Sequence, residues 1–196
     1  MRITGGKLAG RLVACPPGAI RPAMDRMRES VFSVLCSISS GSNGRGGNDE
    51  ALTGKSFLDL FSGSGTIALE AASRGAMPVT LVESDKKKSA TIVRNVEVAE
   101  KELGCRIECR FIAVELFLKR AKLQYDFIFL DPPFPYQFHS ELLHTIAERD
   151  LLAPNGIALI HRPREKKLDD TIGSLQKNDT REYGRSIVDF YTHGGF

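Results

Sequence analysis

The sequence predicts an α/β fold: a doubly wound, mostly parallel sheet with helices on both faces. Three observations carry this. Short apolar runs alternate with helical periodicity through most of the chain after Ser56, the signature of repeated strand–helix units. The first run, Phe57-Leu-Asp-Leu-Phe61, leads directly into Gly63-Ser-Gly65 and a helical pattern. A later run, Asp126–Leu130, ends in Asp131-Pro-Pro-Phe134. In a doubly wound sheet the carboxyl ends of such strands open onto one crevice, where ligands bind.

The elements follow in order. Residues 1–14 hold Gly5, Gly6 and Gly10 between β-compatible pieces, which predicts a small hairpin or extended arm. Pro16-Pro17-Gly18 breaks it. Met24, Met27, Val31, Val34, Leu35 and Ile38 recur at helical spacing, predicting a helix over 24–38. Ser39 to Asn48 is rich in Gly, Ser and Asn, and 39–53 reads as a flexible loop. Strands are then expected over 56–61, 78–83, 106–113, 126–130 and 157–161. Helices are expected over 65–74, 85–103, through Leu118 and over 139–148. Gly75 and Gly104 stand where helix C-termini need a left-handed residue. Residues 168–176 read as a last helix. Gly184-Arg185 between 180–183 and 186–191 reads as the turn of a closing antiparallel hairpin. The chain therefore divides into a basic arm, 1–20, and one domain, 21–196, whose Rossmann-like core is 54–196.

Composition sets the frame. A chain of 196 residues, 42% hydrophobic and 26% charged, can bury a real core and needs no disulfide or metal staple. Cys15, Cys36, Cys105 and Cys109 form no C-x-x-C pair, so free thiols in a reducing compartment are expected and no metal site is. No leader-like or bilayer-length apolar run is present, so the expected location is the cytoplasm, with no membrane partner. Arg2, Lys7, Arg11, Arg21, Arg26 and Arg28 face only Asp25 and Glu29 in residues 1–30. The net charge of +3 therefore lies wholly in this segment, and phosphate backbones attract such segments. A solvated basic arm without a partner is the plain alternative.

Two motifs carry chemistry. Gly63-Ser-Gly65-Thr-Ile-Ala68 fits the G-x-G-x-x-G/A turn between strand and helix. Glu83 ends the second strand, where a nucleotide fold places its ribose-binding acid about 20 residues on. This turn alone does not separate a nicotinamide cofactor from S-adenosylmethionine. Asp59, inside the first strand, suits a cofactor with an α-ammonium that needs a carboxylate. An acid capping the glycine loop is the alternative. Asp131-Pro132-Pro133-Phe134 is the more specific signal. Its prolines stiffen the loop and donate no N–H, so the Asp131 carboxylate and the backbone carbonyls face an amine donor. Phe134 offers a face on which a base stacks. Together these point to methyl transfer to a nucleobase amine, with the donor supplying the reactive group and the protein its orientation.

The same residues resemble a known family. Asp59-Leu-Phe-Ser-Gly-Ser-Gly65 and Asp131-Pro-Pro-Phe134 are similar to the cofactor and catalytic motifs of class I amino-methyltransferases. Arg2-Ile-Thr-Gly-Gly-Lys-x3-Arg11-Leu, then Arg21-Pro-x2-Asp25-Arg-x-Arg28-Glu29-Ser-x-Phe32, resemble the N-terminal signature of the bacterial 16S rRNA guanine-N2 methyltransferases of RsmD type. The resemblance implies a seven-stranded methyltransferase sheet and S-adenosylmethionine as cofactor. It implies that Asp59, Phe61, Gly63, Gly65, Glu83, Ser84 and Val114 hold that cofactor. Asp131 to Phe134 would hold a guanine. Arg2, Lys7, Arg11, Arg21, Arg26 and Arg28 would grip 16S rRNA of the small subunit or an assembly intermediate, with the protein acting as a monomer.

This chain departs from the family in places. Ala113 stands where the family places Asp or Asn for the adenine amine, and Glu115 is the candidate substitute. The 39–50 loop is long. His161-Arg-Pro-Arg164 is unusually basic and adds a candidate RNA contact, with His161 itself read as structural. An adenine-N6 methyltransferase shares Asp131-Pro-Pro-Phe134, although tyrosine is commoner there than Phe134. A nicotinamide oxidoreductase explains Glu83 but neither Asp59 nor the proline loop. A non-enzymatic RNA-binding module explains the arm but not the two intact motifs.

Overall fold

The computed structural model describes residues 1–15, 22–40 and 50–194. The leading helix α1 runs Pro22–Ser40, two residues longer at each end than expected. Arg21 and most of the predicted 39–53 loop lie outside the described residues. The core then alternates β1 (Phe57–Leu60), α2 (Thr66–Ser73), β2 (Val79–Val82), α3 (Lys86–Leu103), β3 (Ile107–Arg110), α4 (Val114–Arg120), β4 (Tyr125–Leu130), α5 (His139–Glu148) and β5 (Leu152–Pro163). Three further strands close the sheet: β6 (Thr171–Ile172), β7 (Leu175–Tyr183) and β8 (Ser186–Thr192).

The strand order is β3-β2-β1-β4-β5-β8-β7-β6. Strands β3 to β5 pair in parallel, and β8, β7 and β6 add on antiparallel. The chain moves outward from β1 to β3, then crosses back to place β4 on the other side of β1. The switch point therefore lies between the carboxyl ends of β1 and β4, where a ligand crevice is expected.

The strand period of two builds both cores from single segments. Phe57 faces one side with Val79, Phe127 and Phe129, under α1, α2 and α3. Leu58 and Leu60 face the other with Ile128 and Leu130, under α4 and α5. Strands buried on both faces read as continuous apolar runs, which explains why β1 and β4 stand out in the sequence. Asp85 caps α3 by accepting from the Lys87 N–H at 3.0 Å, and Gly104 ends it with φ 66. Among the described residues, no helix is long and apolar enough to cross a membrane.

The expected doubly wound architecture is present, with one difference. Residues 168–176 form no helix. Leu168, Ile172 and Leu175 are buried at helical spacing, but Gly173 takes φ 58 and turns the chain back, pairing Ile172 with Leu175. The sheet thus gains an eighth, two-residue strand beyond the seven implied.

The N-terminal arm is docked on α2. Arg2 and Leu12 form an antiparallel bridge, and Ile3, Leu8 and Val13 enter the α1–α2–α3 core. The fully buried Glu70 accepts from the Thr4 N–H at 2.8 Å and the Thr4 hydroxyl at 2.7 Å. Gly6 has φ 76, and a side chain there would run into the Ser73 carbonyl. The Lys7 N–H instead donates to that carbonyl at 2.8 Å.

Candidate active site

A cavity of about 1070 Å3 opens at the switch point. Its wall brings together the loops after β1, β2, β3, β4 and β5, with Tyr183, Arg185 and Ser186 from the β7–β8 turn and Met27 from α1. Of the sequence-predicted site residues, Phe61, Gly63, Glu83, Ser84, Val114 and Asp131 to Phe134 line it.

At one end stands the glycine turn. Gly63 has φ 60, and its N–H donates to Glu83 Oε2 at 2.9 Å. The Asp85 N–H donates to Glu83 Oε1 at 2.8 Å, and Lys88 Nζ lies 3.1 Å from Oε2. Glu83 is 5% exposed, so these donors offset the desolvation of its charge. Phe61 holds φ 63, an uncommon conformation for a bulky residue and a mark of a constrained site.

Asp59 is not on the cavity wall. It lies behind the turn, 1% exposed, and its Oδ2 accepts from the Ala68 N–H at 3.1 Å in the first turn of α2. Burial pushes its carboxyl up to about 8, with the charges of Asp131 and Glu83 raising it further. Its hydrogen bond to the Ala68 N–H makes it an acceptor for the start of α2, the capping role weighed as the alternative. Gly65 likewise serves the backbone: with φ 79 it is the N-cap of α2, and its N–H donates to the Ser62 carbonyl at 2.8 Å.

At the other end stands the proline loop. The Asp131 N–H donates to the Leu60 carbonyl at 3.3 Å, tying β4 to β1. Asp131 Oδ1 lies 2.7 Å from His161 Nδ1, and the Phe134 ring centroid lies 6.0 Å from that of His161. Tyr136 meets Phe61 edge-on at 5.3 Å and donates its hydroxyl to Glu115 Oε1 at 2.5 Å. Burial and the Glu115 charge push the Tyr136 hydroxyl upward, so it stays a donor. Sequence reasoning missed Tyr136; its signal was the aromatic run Phe134-Pro-Tyr136-Gln-Phe138.

The basic residues divide. Arg2, Lys7, Arg11 and Arg26 are exposed, with Lys7 3.0 Å from Glu50 and Arg11 paired to Glu102. Arg28 is placed otherwise. Its side chain is 3% exposed, donates to the Arg2 carbonyl at 2.6 Å and lies 3.0 Å from Asp25 and 3.5 Å from Glu70. That guanidinium clamps the arm to α1 and α2 and is closed to an RNA phosphate. Arg162 is also buried, paired with Asp189 at 2.5 Å, leaving Arg164 as the exposed arginine of that stretch.

Residues 1–192 match the family described as Conserved hypothetical protein 95. The chain belongs to that family. Its relatives include a Bacillus subtilis protein named "Putative rRNA methyltransferase YlbH", 32% identical over 198 residues and covering 100% of both chains. "Ribosomal RNA small subunit methyltransferase D" of Escherichia coli K12 is 28% identical over 170 residues, spanning 86% of this chain and 77% of that one. Among solved structures, "Putative methyltransferase yhhF from Escherichia coli" superposes with a TM-score of 0.81 at 25% identity, over 97% of this chain and 96% of that one. The family membership accords with the RsmD-type signature in the arm and with the Asp131-Pro-Pro-Phe134 motif.

Proposed function

We propose that this protein transfers a methyl group from S-adenosylmethionine to the N2 amine of a guanine in 16S rRNA of the small ribosomal subunit, in the cytoplasm. One observation carries the reading: a single cavity joins a nucleotide-type turn, Gly63 with Glu83, to an amine-accepting, ring-stacking loop, Asp131 to Phe134. The names of the relatives support the reaction and the RNA; the choice of guanine N2 rests on the resemblance in the N-terminal arm.

The residues present fit the cofactor. A side chain on Gly63 would meet nothing nearer than the Phe61 carbonyl at 4.0 Å, so the turn opens onto free space at the cavity wall. Gly63, Glu83, Ser84, Val114 and Phe61 would hold the nucleoside. When bound, S-adenosylmethionine supplies an activated methyl group on a sulfonium.

The chain supplies capture and orientation. Phe134 stacks on the guanine once it has left its helix, as enzymes acting on bases require. Asp131 and the Pro132 carbonyl accept from the N2 amine, while Pro132 and Pro133 present no competing N–H. These hydrogen bonds favour a tetrahedral nitrogen, whose lone pair is then aimed at the methyl group. With the donor bound, the nitrogen–carbon bond would form as the carbon–sulfur bond broke, the electron pair would leave with sulfur, and the amine would give up one proton to solvent. Arg2, Lys7, Arg11 and Arg26 hold RNA phosphates; the Lys7 and Arg11 surface ion pairs are weak enough to exchange.

The test is methyl transfer from labelled S-adenosylmethionine to small-subunit particles, with the product nucleoside identified by mass spectrometry. N2-methylguanosine is expected. N6-methyladenosine would replace the guanine reading with the adenine one, and no transfer to RNA would overturn both.

A further inference from the structure

The register of the sheet brings a residue into the site that the motif alone does not name. Leu130 of β4 pairs with Ile160 of β5 in parallel. The next residues in each strand, Asp131 and His161, are therefore lateral neighbours, and adjacent parallel strands put their side chains on one side. His161 Nδ1 reaches Asp131 Oδ1 at 2.7 Å. The His161 side chain is 6% exposed and that of Asp131 22%, and both line the cavity. Among the described residues, no other side chain pairs with the Asp131 carboxylate.

We propose that His161 is the positioning residue of the amine-accepting loop. This rests on the reading above and assigns it a further part. A carboxylate at a strand end turns about its last bond and presents either oxygen. A buried imidazole N–H on Oδ1 removes that freedom, because a charge-assisted hydrogen bond is short and directional. It fixes the carboxylate plane and leaves Oδ2 for the substrate amine. It also sets the histidine tautomer with hydrogen on Nδ1, the arrangement by which a carboxylate commonly orients an imidazole. The same ring lies 6.0 Å from Phe134, so one side chain sets the acceptor and backs the stacking face. The loop backbone is tied separately, by the Asp131 N–H to the Leu60 carbonyl and by the Tyr136 N–H to the Pro133 carbonyl at 2.8 Å. Those bonds fix the chain path but not the carboxylate plane. His161 is thus the side chain from another strand that orients the accepting group.

Two amide substitutions separate this from a structural role. In His161→Asn the amide nitrogen falls where Nδ1 stands, so the donor to Asp131 is kept. In His161→Gln the amide extends to the Nε2 position and the donor is lost, with similar polarity and bulk. The experiment compares single-turnover methyl transfer to small-subunit particles in wild type and both variants, alongside S-adenosylmethionine affinity by calorimetry. His161→Asn should keep turnover within about threefold, and His161→Gln should lose roughly tenfold or more, the loss expected for one hydrogen bond to a charged group. Cofactor affinity should match wild type in both. Equal turnover in the two variants, or a loss in Asn as large as in Gln, would overturn the assignment. A folding defect would show as lost cofactor binding in both, and His161→Gln binding cofactor normally with full turnover would refute it outright. A wild-type chain that methylates no RNA would instead remove the underlying reading.

Discussion

The two ends of the cavity are built differently. At the glycine end, polar groups answer one another mainly through the backbone: Glu83 takes the N–H groups of Gly63 and Asp85, with Lys88 as a side-chain partner, and Asp59 takes the N–H of Ala68. At the proline end, they answer through side chains from separate strands and loops: Asp131 with His161, Tyr136 with Glu115. The first arrangement is complete before any ligand arrives, and it suits holding a molecule that binds and leaves unchanged in position. The second leaves acceptors and two partly exposed rings, Phe134 and Phe138, facing outward, and it suits catching a base from a large RNA. The difference predicts that damage at one end falls on cofactor affinity and at the other on turnover.

The sharpest break of that division is at Asp131. Asp131→Ala should lower single-turnover methylation by on the order of a hundredfold or more, because its hydrogen bonds matter most as the nitrogen attacks. Phe134→Tyr should keep much of the activity, whereas Phe134→Ala should lose both base capture and rate. Rapid-quench assays on labelled cofactor would check all three.

A smaller effect is expected at the glycine end. Glu83→Ala should weaken S-adenosylmethionine binding by roughly 1.5–3 kcal/mol, the range for charge-assisted hydrogen bonds. Removing it also frees the Gly63 and Asp85 N–H groups and Lys88, so a fall in thermal stability should accompany the loss.

Replacing Lys7 and Arg11 with Ala should reduce RNA affinity. It should also flatten the salt dependence by about one unit of slope for each phosphate no longer neutralised. Cofactor affinity should not move. An unchanged salt slope would make the arm a structural element only.

The smallest effect on binding is expected at Asp59. Its native carboxyl keeps a proton up to about 8, while in the unfolded chain it ionises near the ordinary value of about 3.9. Between those values the native state binds more protons than the unfolded one, so Asp59 lowers stability as pH rises through that window. Asp59→Asn keeps an acceptor for the Ala68 N–H and removes this loss. The variant should gain stability over wild type as pH rises from about 4 to 8, with cofactor affinity little changed. Denaturant melts across that range would check it; a variant that binds cofactor much more weakly would return Asp59 to the ligand.

What was legible in the sequence follows the same division. Strand β1, its glycine turn and Glu83 are readable because consecutive residues make the structure: Phe57 and Leu58 are buried on opposite faces, and Gly63 supplies the positive φ. The Asp131-Pro-Pro-Phe134 loop is readable for its stiffness and acceptors. Its partners are not, because His161 and Glu115 reach it only through strand order and register. Arg28 misled for a related reason. Charge counts it with the exposed arginines, and only the packing of α1 on α2 reveals Glu70 beside it. Residues 168–176 misled because buried positions at helical spacing are equally produced by a tight hairpin around Gly173.

The division itself is tested most directly by calorimetric titration of S-adenosylmethionine into the wild-type chain, Glu83→Ala and Asp131→Ala under one set of conditions. Glu83→Ala should bind at least about tenfold more weakly, matching the lower bound for a lost charge-assisted hydrogen bond, while Asp131→Ala should bind as wild type does. Wild-type affinity in Glu83→Ala, or an equal loss in Asp131→Ala, would contradict it.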